Sequence, residues 1–422
     1  MSTGIGGDAF ALVRRDGQIE GLDSAGPAAA SADPSEPVAE TGPGSITVPG
    51  AVAGWATLAE RHGRLGLDAC LADAIDAAER GLAVTPLCAA AWAEAAGAPA
   101  ELGPPPAVGE RYRLPELAVT LRRIAEEGPS AFYRGRVAEA VAAASRLTED
   151  DLAGFRPRWV EPLRLTYRGH EVVEMPAPTQ GVAALEALGL LEGLRPDLPS
   201  QIACVRLALE DALDRVRDGA DVSGLIEAGY LAERRREAAP AITEPAGGTV
   251  YLCAVDSDRM AVSFIQSLFY SFGSGVVARG TGVVLQNRGA CFAVSGRVEP
   301  GRRPYHTIIP GMLLRDGGLL GPFGVMGGFI QAQAHAQLVS AIVDDRLDPQ
   351  AALDRPRFRV DGDAVRLEEG LWPRAGELES LGQRTILDPD VSGFGGGQAI
   401  LLEGDALLGG SDPRKDGYAA GF

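Results

Sequence analysis

An uninterrupted apolar segment that follows two glycines constrains the fold of this chain more than any other feature. The segment covers residues 250–255, and Gly247, Gly248 and Thr249 precede it. A short run that is apolar at every position predicts a strand covered on both faces. Residues 260–266 predict its antiparallel partner, across a turn at residues 256–259. The pattern therefore places Thr249 at the start of a buried hairpin.

Thr249 is a candidate nucleophile. A threonine hydroxyl attacks poorly at neutral pH unless a base lies beside it, and a freed α-amino group is the nearest base that a chain can offer. Thr249 gains that base only if the bond between Gly248 and Thr249 is cut. Gly248 suits the cut, because a residue without Cβ can adopt the strained backbone that such an attack requires. A simple turn that leads into a strand is the alternative for these residues taken alone.

Several glycine-rich motifs follow this segment and help to decide whether Thr249 is a nucleophile or part of a simple turn. They are Phe272-Gly273-Ser274-Gly275, Gly282-Val283-Val284-Leu285-Gln286-Asn287, Arg303-Pro304-Tyr305-His306-Thr307-Ile308-Ile309-Pro310-Gly311 and Phe323-Gly324-Val325-Met326-Gly327-Gly328. Their order and spacing resemble the small subunit of the γ-glutamyltransferase family. In that family the threonine that aligns with Thr249 is released by self-cleavage after the residue aligned with Gly248, and it is the catalytic nucleophile.

Composition restricts the partners. The net charge of −18 argues against nucleic acid and anionic membranes, which require a basic patch. The four histidines and five cysteines show no metal-ligand spacing, so neither a metal nor another cofactor is expected. The odd, scattered cysteines favour a reducing compartment. Because the chain opens without a charged and then apolar leader, and no apolar run reaches roughly 20 residues, the sequence predicts a cytoplasmic protein.

The periodicity of the chain predicts helices and strands in separate batches. Strands at residues 9–13 and 18–22 form one predicted hairpin, and helices are predicted at residues 67–80, 117–127 and 202–217. Such batches favour two stacked antiparallel sheets between helical layers. The resemblance implies an α+β fold, the four-layer αββα sandwich of N-terminal nucleophile hydrolases. It also implies a large-subunit region at 1–248 and a small-subunit region at 249–422, which together form one αββα unit.

The resemblance implies the other members of a catalytic site. Gly327 and Gly328 match the pair that forms the oxyanion hole of the family, and backbone N–H groups at the start of a helix suit that role. Ser267 occupies the position of a hydroxyl residue that hydrogen-bonds the nucleophile. His306 and Thr307 occupy the positions of two serines that grip the α-carboxylate of the substrate.

Two departures from the family pattern change the expected substrate. Cys291 occupies the position at which γ-glutamyl enzymes have an aspartate that binds the α-ammonium group of the substrate. Phe269 replaces an asparagine that also binds the glutamyl group. A buried ammonium group without its carboxylate is strongly disfavoured. We therefore expect this substrate-binding site to bind a γ-glutamyl group, and hence glutathione, poorly.

The beginning of the chain also resembles the family. Residues 4–8 match its Gly-Ile-Gly-Gly-Asp motif, which normally follows a further segment with a helix and a substrate-binding arginine. We expect one of three explanations. Translation starts upstream of Met1, the chain has been trimmed, or the protein lacks the part of the substrate-binding site that this segment forms.

These observations predict a self-processing enzyme that cleaves an amide or related acyl bond of a small metabolite. Thr249 attacks, its own amine moves the proton, and water or an amine accepts the acyl group. The two cleaved fragments are expected to remain together as a heterodimer, which can pair again. Two alternatives stay open. One is a homologue that cleaves a carbon–carbon bond in alkylproline antibiotic biosynthesis, and the other is a truncated or unprocessed accessory protein without catalysis.

Overall fold

Two β-sheets lie face to face at the centre of the computed structural model, which describes residues 1–237, 241 and 248–421. The strands are β1 (Asp8–Arg15), β2 (Gln18–Ser24), β3 (Leu82–Ala83), β4 (Arg111–Tyr112), β5 (Arg158–Val160), β6 (Leu163–Tyr167), β7 (His170–Glu174), β8 (Gly248–Val255), β9 (Ala261–Phe269), β10 (Val276–Ala278), β11 (Val283–Leu285), β12 (Gly311–Arg315), β13 (Gly318–Met326), β14 (Phe358–Asp361), β15 (Ala364–Leu367), β16 (Arg384–Leu387), β17 (Gly396–Glu403) and β18 (Ala406–Ser411). The helices are α1 (Ala51–His62), α2 (Leu67–Arg80), α3 (Pro86–Glu94), α4 (Pro115–Glu127), α5 (Ser130–Tyr133), α6 (Gly135–Ala144), α7 (Glu149–Gly154), α8 (Gly181–Leu191), α9 (Leu198–Arg215), α10 (Ala228–Arg234), α11 (Ile330–Val343), α12 (Pro349–Asp354) and α13 (Ala375–Ser380).

Each central sheet combines strands from both sides of Gly248. The first sheet has the order β5-β2-β1-β9-β8, and the second has the order β18-β17-β13-β12-β7-β6. The pairings within both sheets are antiparallel. The regions before and after Gly248 therefore share their main-chain hydrogen bonds through the β1–β9 and β7–β12 ladders.

The alternation of side chains along β1 explains the layers. Phe10 and Leu12 point into an apolar cluster between the sheets, where they meet Val173 and Met312 of the second sheet. Val13 points the other way, toward Leu58 of α1. On the outer face of the second sheet, α8, α9 and α11 bury a larger apolar cluster. The order of layers is therefore helix, sheet, sheet, helix, as predicted.

Local signals place most of the predicted elements correctly. The helix predicted at residues 67–80 is α2, and the predicted first hairpin is β1 and β2, with positive φ angles at Asp16 and Gly17 in its turn. A capping box begins α7, since the Thr148 hydroxyl accepts from the Asp151 amide and the Asp151 carboxylate accepts from the Thr148 amide. Residues 238–240 and 242–247, which precede Gly248 in the chain, lie outside the described residues.

The prediction that β8 is covered on both faces is wrong. Tyr251 is buried between the sheets, whereas Val250 and Leu252 on the opposite face are 42% and 49% exposed. The physical reason is the position of the strand, because β8 is at the edge of the first sheet and no helix packs along it in the described part of the chain. An all-apolar sequence does not reveal whether a strand lies in the centre or at the edge of its sheet, or whether both of its faces are covered.

A local shift of register places Thr249 next to β9 and β1. Gly248 pairs with Phe269 while Val250 pairs with Gln266, so the ladder is irregular at Thr249. On the other side of β9, Ser267 pairs with Asp8 of β1. Three neighbouring strands therefore bring together a hydroxyl at Thr249, a hydroxyl at Ser267 and a carboxylate at Asp8.

Candidate active site

Thr249 is fully buried, and its hydroxyl has three polar neighbours. Its Oγ1 donates to the carbonyl oxygen of Gly248 at 2.6 Å and lies 3.3 Å from Ser267 Oγ. The amide of Gln331 donates to the same Oγ1 at 3.3 Å. Gly248 and Thr249 are joined in one strand, so the nitrogen of Thr249 is a peptide nitrogen in this structure.

Ser267 contacts both the candidate nucleophile and the carbonyl group that precedes it. Its hydroxyl donates to the carbonyl oxygen of Gly248 at 2.8 Å and accepts from the amide of Phe269 at 2.8 Å. A hydroxyl that donates to a carbonyl oxygen favours negative charge on that oxygen. The structure thus brings Ser267 beside Thr249 and the Gly248 carbonyl group, and its role in catalysis stays a prediction.

A side chain is excluded at Gly248. A Cβ at this position would lie 2.7 Å from Cβ of Ser2, which is closer than carbon atoms approach each other. The start of the chain therefore packs against the Gly248–Thr249 bond. This contact explains in steric terms why a glycine precedes Thr249.

Gly327 and Gly328 form the tight connection between β13 and α11. Their φ angles are 134° and 72°, in the left-handed region that favours glycine. Neither backbone N–H group has a hydrogen-bond acceptor among residues 1–237, 241 and 248–421. Because Gln331, in the first turn of α11, reaches Thr249, this connection lies beside the candidate nucleophile. N–H groups that have no acceptor in the described part of the chain can bind an oxyanion there.

Two glutamines that the sequence analysis did not name hold these segments together. Gln331 donates to Thr249 Oγ1 and accepts from the Ile309 amide at 3.1 Å. Gln180, just before α8, donates to the carbonyl oxygens of Thr307 at 2.7 Å and Gly328 at 3.3 Å. The only sequence signal for either residue is a polar side chain at the start of an apolar helix.

His306 is fully buried, and protein groups engage both of its ring nitrogens. Nδ1 lies 2.9 Å from the carbonyl oxygen of Pro304, so it must donate there, and Nε2 lies 3.1 Å from Asp8 Oδ2. The other Asp8 oxygen accepts from the Gly26 and Gly50 amides. His306 thus joins a network between β1 and the loops beside it. Its role as a substrate contact stays a prediction.

Thr307, Cys291 and Phe269 surround a buried arginine that the sequence analysis missed. Nη1 of Arg288 donates to Thr307 Oγ1 at 2.9 Å and lies 3.7 Å from Cys291 Sγ. The guanidinium carbon lies 4.5 Å from the centre of the Phe269 ring. Burial raises the pKa of the Cys291 thiol, so Cys291 supplies no negative charge in place of the family aspartate. No local sequence pattern reveals that an arginine is buried.

Thr249 is among the residues that line a cavity of about 540 Å³. Tyr251 and Met326 also line it, as do Lys415 and Asp416 of the C-terminal segment. Burial lowers the pKa of the Lys415 ammonium group. The cavity is therefore a route by which a small molecule could approach Thr249.

The described residues include neither a metal-binding cluster nor a membrane-spanning helix. Residues 1–237, 241 and 248–421 contain no cluster of three or more histidine, cysteine or acidic side chains that could bind a metal ion. The described cysteines are free thiols. Of the described helices, none is both long enough and apolar enough to cross a bilayer. The cytoplasmic location stays a prediction.

Comparisons with known proteins agree with this geometry. The model of the gamma-glutamyltranspeptidase family matches residues 1–422. The oxamate amidohydrolase proenzyme of Klebsiella pneumoniae is 32% identical, over 99% of this chain and 90% of that protein. The glutathione hydrolase-like YwrD proenzyme of Bacillus subtilis is 32% identical, over 90% of this chain and 81% of that protein.

A solved structure extends the likeness to the whole fold. The crystal structure of cephalosporin acylase from Bacillus halodurans superposes with a TM-score of 0.93 at 40% identity, covering 99% of this chain and 88% of that chain. This superposition confirms the predicted α+β fold class.

Proposed function

Because the chain belongs to the gamma-glutamyltranspeptidase family and is therefore a hydrolase or acyltransferase, we propose that it cleaves itself before Thr249 and then uses Thr249 as its nucleophile. This proposal rests on one observation, which is the hydrogen bonds and contacts of the buried Thr249 hydroxyl. Thr249 Oγ1 lies beside the Gly248 carbonyl group, and Ser267 donates to the oxygen of that carbonyl.

Self-cleavage proceeds by transfer of an acyl group from nitrogen to oxygen. Thr249 Oγ1 attacks the carbonyl carbon of Gly248 through a five-membered ring, and Ser267 stabilises the negative charge on the carbonyl oxygen. The bond between that carbon and the Thr249 nitrogen then breaks, and the nitrogen takes the hydroxyl proton. Water hydrolyses the resulting ester, which leaves a carboxylate on Gly248 and a free amine on Thr249.

The mature site then performs the same chemistry on an external amide or related acyl bond. The freed amine of Thr249 accepts the hydroxyl proton during attack and returns it to the leaving group. The N–H groups of Gly327 and Gly328 bind the oxyanion, and water or an amine releases the acyl group. The fragments 1–248 and 249–422 remain a heterodimer, because both central sheets contain strands of each.

The substrate is a small metabolite other than a γ-glutamyl compound such as glutathione. Phe269 and Cys291 support this part of the proposal, because neither side chain offers a carboxylate to an α-ammonium group. Arg288, which contacts both residues, adds a positive charge where an ammonium group would have to bind.

Denaturing mass spectrometry of the purified protein tests the nucleophile. For the wild type we expect fragments of about 26 and 18 kDa, in proportion to the 248 and 174 residues on each side of the cut in a 43.9 kDa chain. Thr249→Ala should stay intact because it lacks the attacking hydroxyl. Thr249→Ser is the matched control and should still be cleaved. An intact wild-type chain would contradict the proposal and favour the non-catalytic alternative.

A further inference from the structure

His335 and Glu174 form a fully buried pair next to the strand that leads into the Gly327–Gly328 turn. His335 lies on α11, Glu174 is the last residue of β7, and both are 0% exposed. Nδ1 of His335 lies 2.7 Å from Glu174 Oε1, while the backbone amide of Val325 in β13 donates to His335 Nε2 at 3.0 Å. The pair therefore connects α11 to two strands of the second sheet.

These partners fix the tautomer of the His335 ring. A backbone N–H group can only donate, so Nε2 must accept the Val325 bond and carries no proton. Nδ1 then carries the ring proton and donates it to Glu174. Glu174 Oε2 has no hydrogen-bond partner in the described part of the chain. The bond to His335 thus leaves the ring in the one tautomer that can accept from Val325.

His335 replaces a strand partner that β13 lacks near its end. The pairing of β12 with β13 stops at Gly311, which lies opposite Phe323. On the other edge of β13, the pairing with β17 continues as far as Met326. The Val325 amide lies beyond the end of β12, where a buried N–H group without an acceptor would be costly. The ring of His335 supplies that acceptor.

The anchored amide lies two residues before the candidate oxyanion site. It precedes Gly327 by two positions, and α11 begins at Ile330, two positions after Gly328. A Cβ on Gly327 would lie 2.8 Å from the Ile330 side chain and 3.0 Å from Cα of Gly395, so the turn is tightly packed. Since His335 bonds the strand before the turn to the helix after it, it fixes the direction of the N–H groups between them.

The stability of the core does not explain this pair. A buried polar pair can often be replaced by apolar side chains of similar volume without loss of stability. Phe323 already packs against the His335 ring, with 5.0 Å between the ring centres, so an apolar side chain would suit this position. A buried carboxylate that bonds to one histidine is better explained by the position that it gives to that histidine.

We propose that His335 is a positioning residue of the proposed reaction, whose bond to the Val325 amide aims the N–H groups of the Gly327–Gly328 turn at the oxyanion. Glu174 acts through His335 by fixing its tautomer. This inference rests on the proposed function and concerns the acyl transfer that follows self-cleavage. Self-cleavage uses the Ser267 hydroxyl instead, so the two reactions should respond differently to the loss of His335.

Steady-state hydrolysis of 4-nitrophenyl acetate, an activated ester with a small acyl group, tests the proposal. The rate of Thr249→Ala is subtracted as background. His335→Phe keeps a ring but has no acceptor, so it should lower kcat by about 10- to 100-fold and change KM by less than about 3-fold. His335→Gln, whose side-chain oxygen can accept in place of Nε2, should lose only about 3- to 10-fold in kcat.

Mass spectra of His335→Phe separate positioning from a general defect. The variant should still cleave before Thr249 at a rate within about 3-fold of the wild type, because the contact of Ser267 with the Gly248 carbonyl group is unchanged. Parallel losses of self-cleavage and of ester hydrolysis would instead indicate a disturbed fold and would contradict the proposal.

Gln333→Ala is the matched control. Gln333 is buried on the same helix and also accepts from a strand amide, that of Val360 at 2.8 Å, but β14 belongs to a separate three-stranded sheet. Its loss should lower the melting temperature while kcat stays within about 3-fold of the wild type. An equal loss of kcat in Gln333→Ala and His335→Phe would overturn the proposal.

Hydrogen exchange at the Val325 amide gives a readout that does not depend on turnover. Exchange should be slow in the wild type and in Gln333→Ala, and about 10-fold or more faster in His335→Phe. Glu174→Gln retains an acceptor for Nδ1, so it should keep the slow exchange and most of kcat. If His335→Phe does not fold, His335→Gln decides, and a kcat equal to that of the wild type would count against the proposal.

The outcomes distinguish this inference from the proposed function. A wild type that neither cleaves itself nor hydrolyses the ester would refute the proposed function, and this inference with it. A wild type that does both, with a His335→Phe variant that keeps its kcat or its protected Val325 amide, would refute this inference alone.

Discussion

The hydroxyl of Ser267 lies 2.8 Å from the carbonyl oxygen of Gly248 and donates to it. This carbonyl group is the one that Thr249 attacks in the proposed self-cleavage, and Thr249 Oγ1 lies 3.3 Å from the same Ser267 hydroxyl. Ser267 is thus placed to stabilise the charge that develops during self-cleavage. Such a donor stabilises the transition state of the reaction and contributes little to stabilisation of the ground state.

Replacement of Ser267 by alanine should slow self-cleavage by about 10- to 100-fold, because one donor to the developing oxyanion is lost. Mass spectra at successive times after synthesis would give the rate at which the intact chain disappears. Ser263→Ala is the control, since Ser263 is a buried serine of the same strand whose hydroxyl contacts Tyr251 instead. An unchanged rate in Ser267→Ala would show that the contact has no part in cleavage.

Gln331→Ala should lower kcat by about 10-fold with a smaller effect on KM, because a hydrogen bond that positions the Thr249 hydroxyl is lost. Steady-state kinetics on an anilide substrate would measure both constants. Gln337→Ala is a suitable control, since Gln337 lies on the same helix but bonds to Gln333 and Phe358. Equal losses in the two variants would point to a general effect on the helix.

Gly328→Ala should lower kcat by about 100-fold or more, because the strained backbone moves a donor of the candidate oxyanion site. Gly317→Ala is a close match, since Gly317 has a φ of 75° against 72° for Gly328, and a Cβ there meets nothing within 4 Å. Both variants should lose about 1 kcal/mol or more of unfolding free energy in a denaturant titration. Only the Gly328 variant should lose activity, and similar activity in the two would exclude this role.

Glu186 should make the stability of the folded protein depend on pH. Burial, with the nearby Asp211, raises the pKa of its carboxyl group to about 10, so the folded state retains a proton that the unfolded chain releases above its ordinary pKa. The stabilisation is therefore complete in acid and is lost progressively as the pH rises toward 10.

The substitution Glu186→Gln should remove this dependence. We expect the variant to melt higher than the wild type at pH 8, with a gain of about 1 to 3 kcal/mol that shrinks toward pH 5. Thermal unfolding at the two pH values measures the difference. The exposed Glu139→Gln should show no such trend, and a gain for Glu186→Gln that is the same at both pH values would contradict the assigned protonation state.

Some features of the site were visible in the sequence because they depend on neighbouring residues or on a motif. The Gly248–Thr249 step, the partner strand with Ser267 and the Gly327–Gly328 turn before a helix all occur in the structure where the pattern placed them. The helix at Leu67–Arg80 and the first hairpin of β1 and β2 followed from periodicity and turn residues in the same way.

Other features could not be predicted because they depend on residues far apart in the chain. His306 meets Asp8 across 298 positions, and Gln331 reaches Thr249 across 82. The exposure of Val250 and Leu252 depends on where β8 lies in its sheet rather than on its composition. No local pattern contains this information.

The sequence by itself determined several of the helices and strands, the candidate nucleophile, and the presence of Phe269 and Cys291 at their positions. These depend on side-chain periodicity, on turn chemistry and on residue identity, all of which are local. Only the tertiary structure decided that Arg288 is buried beside Thr307, Cys291 and Phe269, with no hydrogen-bond partner for its Nε and Nη2 among the described residues. Burial and hydrogen-bond satisfaction depend on which distant segments the fold brings into contact, and those contacts determine the charge that the substrate-binding site presents.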